Sequence, residues 1–215
     1  MSKIIEERVL IGLPTAPGIA IGDVFLYRHD QPQFTEYCVL EAERPREVER
    51  FRRALIDTRR QIHNLRDHLA LGAGETAARI FDAQQLILED VEFLGVIEEG
   101  IFSDGLNAEA VVQRTAQLYK ERLMALEGRL FHQRAQDVVD IGLRIIKNLL
   151  GLGDGPSLPI EKPSVLVADD LLPSDVVHLM RENVQAVATD LGAAASHTAI
   201  LTKSLEVPAV VGLRD

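Results

Sequence analysis

The sequence predicts an α/β domain into which an all-helical bundle is inserted. Three observations support this fold class. β-rich segments with Pro and Gly turns come first, a helical pattern follows from about residue 44 to 150, and short strands then alternate with short helices. Because the N-terminal strands have no sheet of their own nearby, we expect them to join the C-terminal strands. Residues 1–30 and 151–215 would then form the α/β domain, and residues 44–150 the inserted bundle.

Composition and charge limit the classes of function. The 215 residues include 47% hydrophobic and 26% charged residues, which are ordinary globular values. The formal net charge of −10 argues against nucleic-acid binding and favours a basic protein partner. Cys38 is the sole cysteine, so no internal disulfide can form. No apolar run reaches about 18 residues and no signal peptide is recognisable, so we expect a cytoplasmic protein that binds no membrane.

The individual elements follow from local patterns. In the helical part, apolar residues at steps of three and four predict a first helix that ends near Gly72 and Gly74, and further helices at 77–99, 108–126 and 135–150. Glycines at 151, 153 and 155 and Pro156 end this part. The expected strands are residues 9–13, 19–27, 165–168, 186–189 and 209–212, and the expected C-terminal helices are 174–180 and 196–204.

The second helix has an acidic face that differs from its core stripe. Residues 75–105 contain eight acidic residues and one basic residue, Arg79. Apolar side chains among carboxylates suit a partner whose apolar contact is ringed by Lys or Arg. Composition alone fits a solvated helix face equally well. We call this candidate partner-binding surface the docking face, and it comprises Glu75, Arg79, Asp82, Leu86, Asp90, Glu92 and Phe93.

The segment from Thr189 to residue 212 carries the candidate chemistry. Ser196 is a good N-cap, which places His197 and Thr198 in the first helical turn, where free backbone N–H groups and the positive dipole end favour phosphate. The same field favours a neutral, nucleophilic imidazole. His197 is therefore the candidate catalytic residue, and Ser196, Thr198, Gly192 and Thr189 are the candidate phosphate-binding residues. An isolated Ser-His pair is more often only a helix cap, so the surrounding pattern decides.

That pattern resembles enzyme I of the bacterial phosphoenolpyruvate:sugar phosphotransferase system. The family's phosphohistidine segment is matched by Gly192, Ser196, His197, Thr198 and Ala199, followed by Ser204, Leu205 and residues 208–212. Four more family motifs match in order, at residues 16–22, 80–90, 134–142 and 170–175. The similarity therefore extends over nearly the whole chain.

The resemblance implies a phosphohistidine (swivelling) α/β domain with an inserted helical bundle that binds HPr. It implies a phosphoenolpyruvate-protein phosphotransferase in which Nε2 of His197 takes a phosphoryl group from phosphoenolpyruvate and passes it to the phosphocarrier protein HPr. The docking face would belong to the HPr-binding surface. Enzyme I continues into a C-terminal barrel that binds phosphoenolpyruvate and Mg²⁺, so we expect this chain to be an N-terminal fragment or a stand-alone half without cofactor or metal of its own.

Three departures from the family pattern concern the orientation of the histidine. Ala193 and Ala195 stand where the family has Gly and Thr, and Val176 stands where it often has Thr. We expect Thr189 or Thr198 to supply the missing hydroxyl.

Two alternatives remain open. One is the swivelling phosphohistidine domain of a pyruvate phosphate dikinase or phosphoenolpyruvate synthase, and the other is a degenerate, non-catalytic docking module. The sugar and nitrogen-regulatory branches are not distinguished. Two carboxylate pairs, Asp169–Asp170 and Asp137–Asp140, are interpreted as a strand end and a helix surface.

Overall fold

The computed structural model of the chain describes residues 7–28, 32–153, 160–179, 183–194 and 196–213. Three residues singled out above, Ala195, Gly155 and Pro156, lie outside these ranges.

A five-stranded sheet joins the two ends of the chain. Its strands are β1 (Leu13–Ala16), β2 (Asp23–Tyr27), β3 (Ser164–Ala168), β4 (Val184–Thr189) and β5 (Ala209–Val211), in the order β1-β5-β4-β3-β2. β2, β3, β4 and β5 are parallel, and β1 is antiparallel to β5. The prediction that the N-terminal strands join the C-terminal sheet is confirmed, and they occupy its two opposite edges.

The first strand begins later than residue 9 because its partner is short. β5 has only three residues, and β1 pairs with it through Leu13, Pro14 and Ala16 with an irregularity between the last two. In the part of the chain that the structure describes, no strand lies opposite the preceding apolar residues, and Val9 and Ile11 are exposed. Alternation along the middle strands buries one face of the sheet, as shown by Leu166 and Val187.

Two short helices connect the parallel strands. These are α7 (Pro173–Leu179), between β3 and β4, and α8 (His197–Ser204), between β4 and β5. They pack against each other. Parallel strands need such crossover connections, which is why the alternating pattern after residue 160 predicted α/β structure.

The central part of the chain is helical, as predicted. It comprises α1 (Arg44–Ala73), α2 (Glu75–Ala78), α3 (Asp82–Glu89), α4 (Val91–Ser103), α5 (Ala108–Met124) and α6 (Arg129–Leu149). The apolar stripe of α1 is buried, including Phe51, Ile62 and Leu65. Arginines of α1 pair with carboxylates of the neighbouring helices, for example Arg52 with Glu98 at 2.7 Å, as expected for charge balance within a bundle. In the described part of the chain, no helix has the length and apolarity to cross a membrane.

The second helix was predicted as one element over 77–99, and that is wrong. A 3-10 turn at Arg79–Phe81 follows α2, and α3 and α4 are separated at Asp90. Asp90 has an extended backbone (φ −70°, ψ 109°), and its side chain accepts a hydrogen bond from the Phe93 amide at 2.9 Å. This N-cap starts a new helix, so one helical wheel does not apply across residue 90.

Candidate functional site

His197 occupies the first turn of α8, as the sequence predicted. The hydroxyl of Ser196 accepts a hydrogen bond from the Ala199 amide at 3.2 Å, and the Ser196 backbone is extended, which defines an N-cap. The amides of His197 and Thr198 have no intrahelical partner at this end. The helix start therefore presents backbone donors beside the imidazole.

The loop before α8 follows β4 directly. Gly192 has φ 121°, and a Cβ there would lie 3.0 Å from the Cβ of Val211 in β5. Both the backbone conformation and the close approach favour glycine at this position. The loop thereby stays tight against the sheet and delivers Ser196 and His197 near the carboxyl ends of the parallel strands, where α/β sheets commonly bind ligands.

The two threonine hydroxyls do not orient the imidazole, contrary to the sequence-based expectation. The buried Thr189 donates to the Leu191 carbonyl at 2.7 Å, and Thr198 donates to the Leu171 carbonyl at 3.4 Å. Nδ1 of His197 is buried and has no hydrogen-bond partner among the described residues. Both hydroxyls thus stabilise backbone, because buried carbonyls require donors.

His197 is held neutral. The residue is only 7% exposed. Burial lowers the pKa of its imidazole to about 4, with Arg134 also lowering it and Asp140 opposing the shift. A neutral imidazole retains a lone pair on one nitrogen, which a nucleophile needs at neutral pH.

The α6 helix faces this imidazole with a carboxylate. Asp137 Oδ1 lies 4.0 Å from His197 Nε2, and Asp137 Oδ2 lies 3.5 Å from Arg134 Nη1. Burial raises the pKa of Asp137 to about 7; Asp140 adds to this shift, while Arg134 and Gln84 oppose it. An ionisable pair with such shifted pKa values is a common mark of a functional site.

A second carboxylate of α6 ties the bundle to the α/β part. Asp140 accepts hydrogen bonds from the Ser174 hydroxyl at 2.6 Å, the Ser174 amide at 3.2 Å and Gln84 Nε2 at 2.9 Å. The interpretation of Asp137 and Asp140 as a helix surface is therefore wrong, since both are buried, Asp140 against Ser174 of α7 and Asp137 facing His197 of α8.

Sequence reasoning missed Arg134, Asp137 and Asp140 as site residues. A signal was present in α6. Val138, Ile141 and Ile145 form its apolar stripe, and Asp137, Asp140 and Arg144 recur one position before them. Charged residues that repeat beside an apolar stripe are placed at the edge of the core, where they need partners.

A cleft of about 460 Å³ opens beside the start of α8. Its walls come from α5, α6 and the loops after β3 and β4, and they include Lys120, His132, Gly192 and Ser196. The cleft brings two basic side chains near the predicted phosphate-binding segment. A phosphoryl group could reach this end of α8 through it.

The docking face is only partly on the surface. Arg79, Asp90 and Glu92 are exposed, and Leu86 is 63% exposed. Two carboxylates of the face bind Arg66 of α1: Glu75 at 2.9 Å and Asp82 at 3.1 Å.

The expectation that Phe93 is an apolar contact on this face is wrong. Phe93 is 2% exposed and packs edge to face on Tyr119 of α5, with ring centroids 5.2 Å apart. Because a new helix begins after Asp90, the side chain of Phe93 points into the core instead of continuing the exposed face of α3.

Comparison with known proteins assigns the family. The sequence matches the N-terminal domain of PEP-utilising enzymes over residues 11–134 and their mobile domain over residues 160–215. It is 36% identical over 206 residues to the phosphoenolpyruvate-protein phosphotransferase of Listeria innocua and 34% identical over 206 residues to that of Bacillus subtilis. These alignments cover 96% and 95% of this chain and 36% of each relative. The chain thus spans about a third of the length of the curated relatives it matches.

Two solved structures have the same fold. A solution NMR structure of Enzyme I superposes with a TM-score of 0.70 at 35% identity, and the N-terminal domain of the nitrogen Enzyme 1 superposes with a TM-score of 0.64 at 26% identity. Each match covers 95% of this chain and 83% of the solved chain. Together with the domain matches, they establish that this chain belongs to the PEP-utilising enzymes and carries their N-terminal and mobile domains.

Proposed function

We propose that this chain carries a phosphoryl group on Nε2 of His197, received within the whole enzyme from phosphoenolpyruvate bound to a C-terminal barrel, and passes it to HPr. The observation that carries the proposal is the position of a neutral imidazole in the first turn of α8, beside the backbone amides at the start of that helix. A neutral histidine can attack phosphorus, and the helix start stabilises the phosphate that results. Phosphoryl transfer needs little else from a protein than positioning and charge stabilisation.

The acidic docking face supports a basic phosphocarrier as partner. Without Phe93, the apolar member of the docking face is the exposed Leu86 of α3, and the exposed carboxylates of Asp90, at the N-cap of α4, and Glu92, in its first turn, follow it in sequence. Exposed carboxylates around a small apolar contact favour a partner with the opposite charge.

The test is phosphorylation of the isolated chain by phosphorylated HPr, followed by intact mass. We expect one added phosphate on the wild-type protein and none on His197→Ala. His63→Ala, on the solvated surface of α1, is the matched control and should label like wild type. Phosphoenolpyruvate alone should not label the chain, because the barrel is required to activate it. A folded wild-type chain that takes no phosphate while still binding HPr would instead favour the docking module.

A further inference from the structure

A buried carboxylate faces the nitrogen that would accept the phosphoryl group. Asp137 Oδ1 is buried without a hydrogen-bond partner among the described residues, and it lies 4.0 Å from His197 Nε2. Nδ1 on the far side of the same imidazole also has no hydrogen-bond partner within the described ranges. Two buried polar atoms without hydrogen bonds in neighbouring side chains cost stability, so packing alone does not account for the arrangement.

The transfer step imposes a requirement on this contact. The lone pair of Nε2 forms the new N–P bond while the bond from phosphorus to the donor breaks and the donor keeps that electron pair. The single proton of the neutral imidazole must therefore reside on Nδ1. A negative carboxylate beside Nε2 attracts the proton to Nε2 instead, which gives the unreactive tautomer.

The product makes the conflict stronger. A phosphoryl group on Nε2 brings its negative oxygens within a few ångströms of Asp137 Oδ1. Like charges at that distance repel, and the repulsion is larger in a buried site than in water. A protonated Asp137 carries no such charge and can donate a hydrogen bond to a phosphoryl oxygen.

We propose that Asp137 is a positioning residue that limits phosphorylation of His197: its ionised form holds the proton on Nε2 and repels the phosphoryl group, and its protonated form permits transfer. This inference rests on the proposed carrier function of His197. It adds a residue from the helical bundle to a site whose candidate phosphate-binding residues all come from the α/β part.

The surroundings of the pair allow this switch near neutral pH. The charged groups that face it are Arg134 and Asp140 on α6, with Arg144 on the next turn and Asp175 of α7 close enough to interact with Arg144. Gln84 of α3, an uncharged polar side chain, also acts on Asp137 and lowers its pKa. Burial holds the pKa of Asp137 at about 7, so both charge states are populated under ordinary conditions.

The test measures the initial rate of phosphorylation of wild type and Asp137→Asn at pH 6, 7 and 8. Two donors are used in parallel, phosphorylated HPr and the small chemical donor phosphoramidate. The matched control is Glu109→Gln, because Glu109 is also a buried carboxylate but pairs with Arg50. Arg50 in turn donates to the carbonyl of Leu149, which lies about 18 Å along α6 from Asp137, so the control is remote from the site. Dividing the phosphorylation rate of each variant by that of wild type at the same pH cancels the pH dependence of the donor's own reactivity.

We expect the ratio for Asp137→Asn to rise from about 1 at pH 6 to roughly 10 at pH 8, and the ratio for Glu109→Gln to stay near 1. A ratio for Asp137→Asn that does not change with pH overturns the role of Asp137 while leaving His197 as carrier. Absence of phosphate on the wild-type protein with both donors overturns the proposed function itself.

A second measurement needs no variant. Nitrogen-15 NMR of His197 in the wild-type chain reports which ring nitrogen carries the proton. The Nε2–H tautomer should grow as pH rises through 7. An Nδ1–H tautomer that stays dominant up to pH 8 contradicts the inference even if Asp137→Asn fails to fold.

Discussion

Phe93 and Leu86 are both apolar members of the docking face, but their burial assigns them opposite roles. Phe93 packs against Tyr119 in the core, whereas Leu86 projects into solvent from α3. The buried side chain can contribute to stability, and the exposed one is free to contact a partner.

We predict that Phe93→Ala lowers the free energy of unfolding by about 3–5 kcal/mol, because it removes a fully buried ring and leaves a cavity. Leu86→Ala should change it by less than about 0.5 kcal/mol. Urea unfolding of the two variants checks this. Titration with HPr should show the reverse order of importance, with weaker binding for Leu86→Ala and unchanged affinity for the folded fraction of Phe93→Ala. Equal unfolding midpoints for the two variants would contradict the burial of Phe93.

At the level of elements, the contact between α6 and α8 brings together two groups, Asp137 and His197, whose titrations change the stability in opposite directions as pH rises. Burial holds the pKa of His197 at about 4, below its usual 6.5, and that of Asp137 at about 7, above its usual 3.8. His197 contributes stability above pH 6.5 that is lost as pH falls toward 4. Asp137 contributes stability below pH 3.8 that is lost as pH rises toward 7. Between about pH 4 and 6.5 the two contributions therefore offset each other.

We predict that removing Asp137 or His197 reveals the contribution of the remaining group to the pH dependence of the free energy of unfolding. From pH 4.5 to 6.5, Asp137→Asn should gain stability relative to wild type as pH rises, by roughly 1.4 kcal/mol per pH unit at most. His197→Ala should lose stability relative to wild type over the same range. Urea unfolding at five pH values measures the two slopes. Parallel slopes for wild type and both variants would show that the two groups keep ordinary pKa values in the folded chain.

On the scale of the whole molecule, negative charge is concentrated where a basic partner would approach. The chain has a net charge of −10, and α2 to α4 carry most of the acidic cluster at residues 75–105. Asp82 is a poor probe of this field because its carboxylate binds Arg66, so its reversal would also break an ion pair. Glu92 is exposed and better suited.

We predict that Glu92→Lys weakens HPr binding by roughly three- to tenfold at low salt, mainly through slower association. The difference from wild type should shrink at 0.5 M salt, since exposed charges are screened over less than about 8 Å there. Glu161→Lys, which makes the same change of net charge before β3, is the control. If the two reversals have equal effects, net charge rather than the docking face governs association.

The elements themselves were predictable because their signals are local. The stripe of α1, the alternation in the strands and the N-cap Ser196 each depend on residues close in sequence. Their segments were found with shifts of a few residues at the ends. The exceptions were non-local or capping effects: β1 is limited by the length of β5, and Asp90 starts a new helix inside a segment with one continuous apolar pattern.

The sequence by itself determined the α/β and helical composition, the joining of the chain ends in one sheet, and the position of His197 at a helix start. Only the tertiary structure placed Asp137, Arg134 and Asp140 of α6 beside that histidine, buried Phe93, and turned the threonine hydroxyls toward backbone carbonyls. The physical reason is that a helical pattern specifies which residues share a face, whereas the group that this face meets depends on how the bundle packs against the sheet domain. Contacts between residues 60 positions apart, and the pKa shifts that burial causes there, follow from that packing alone.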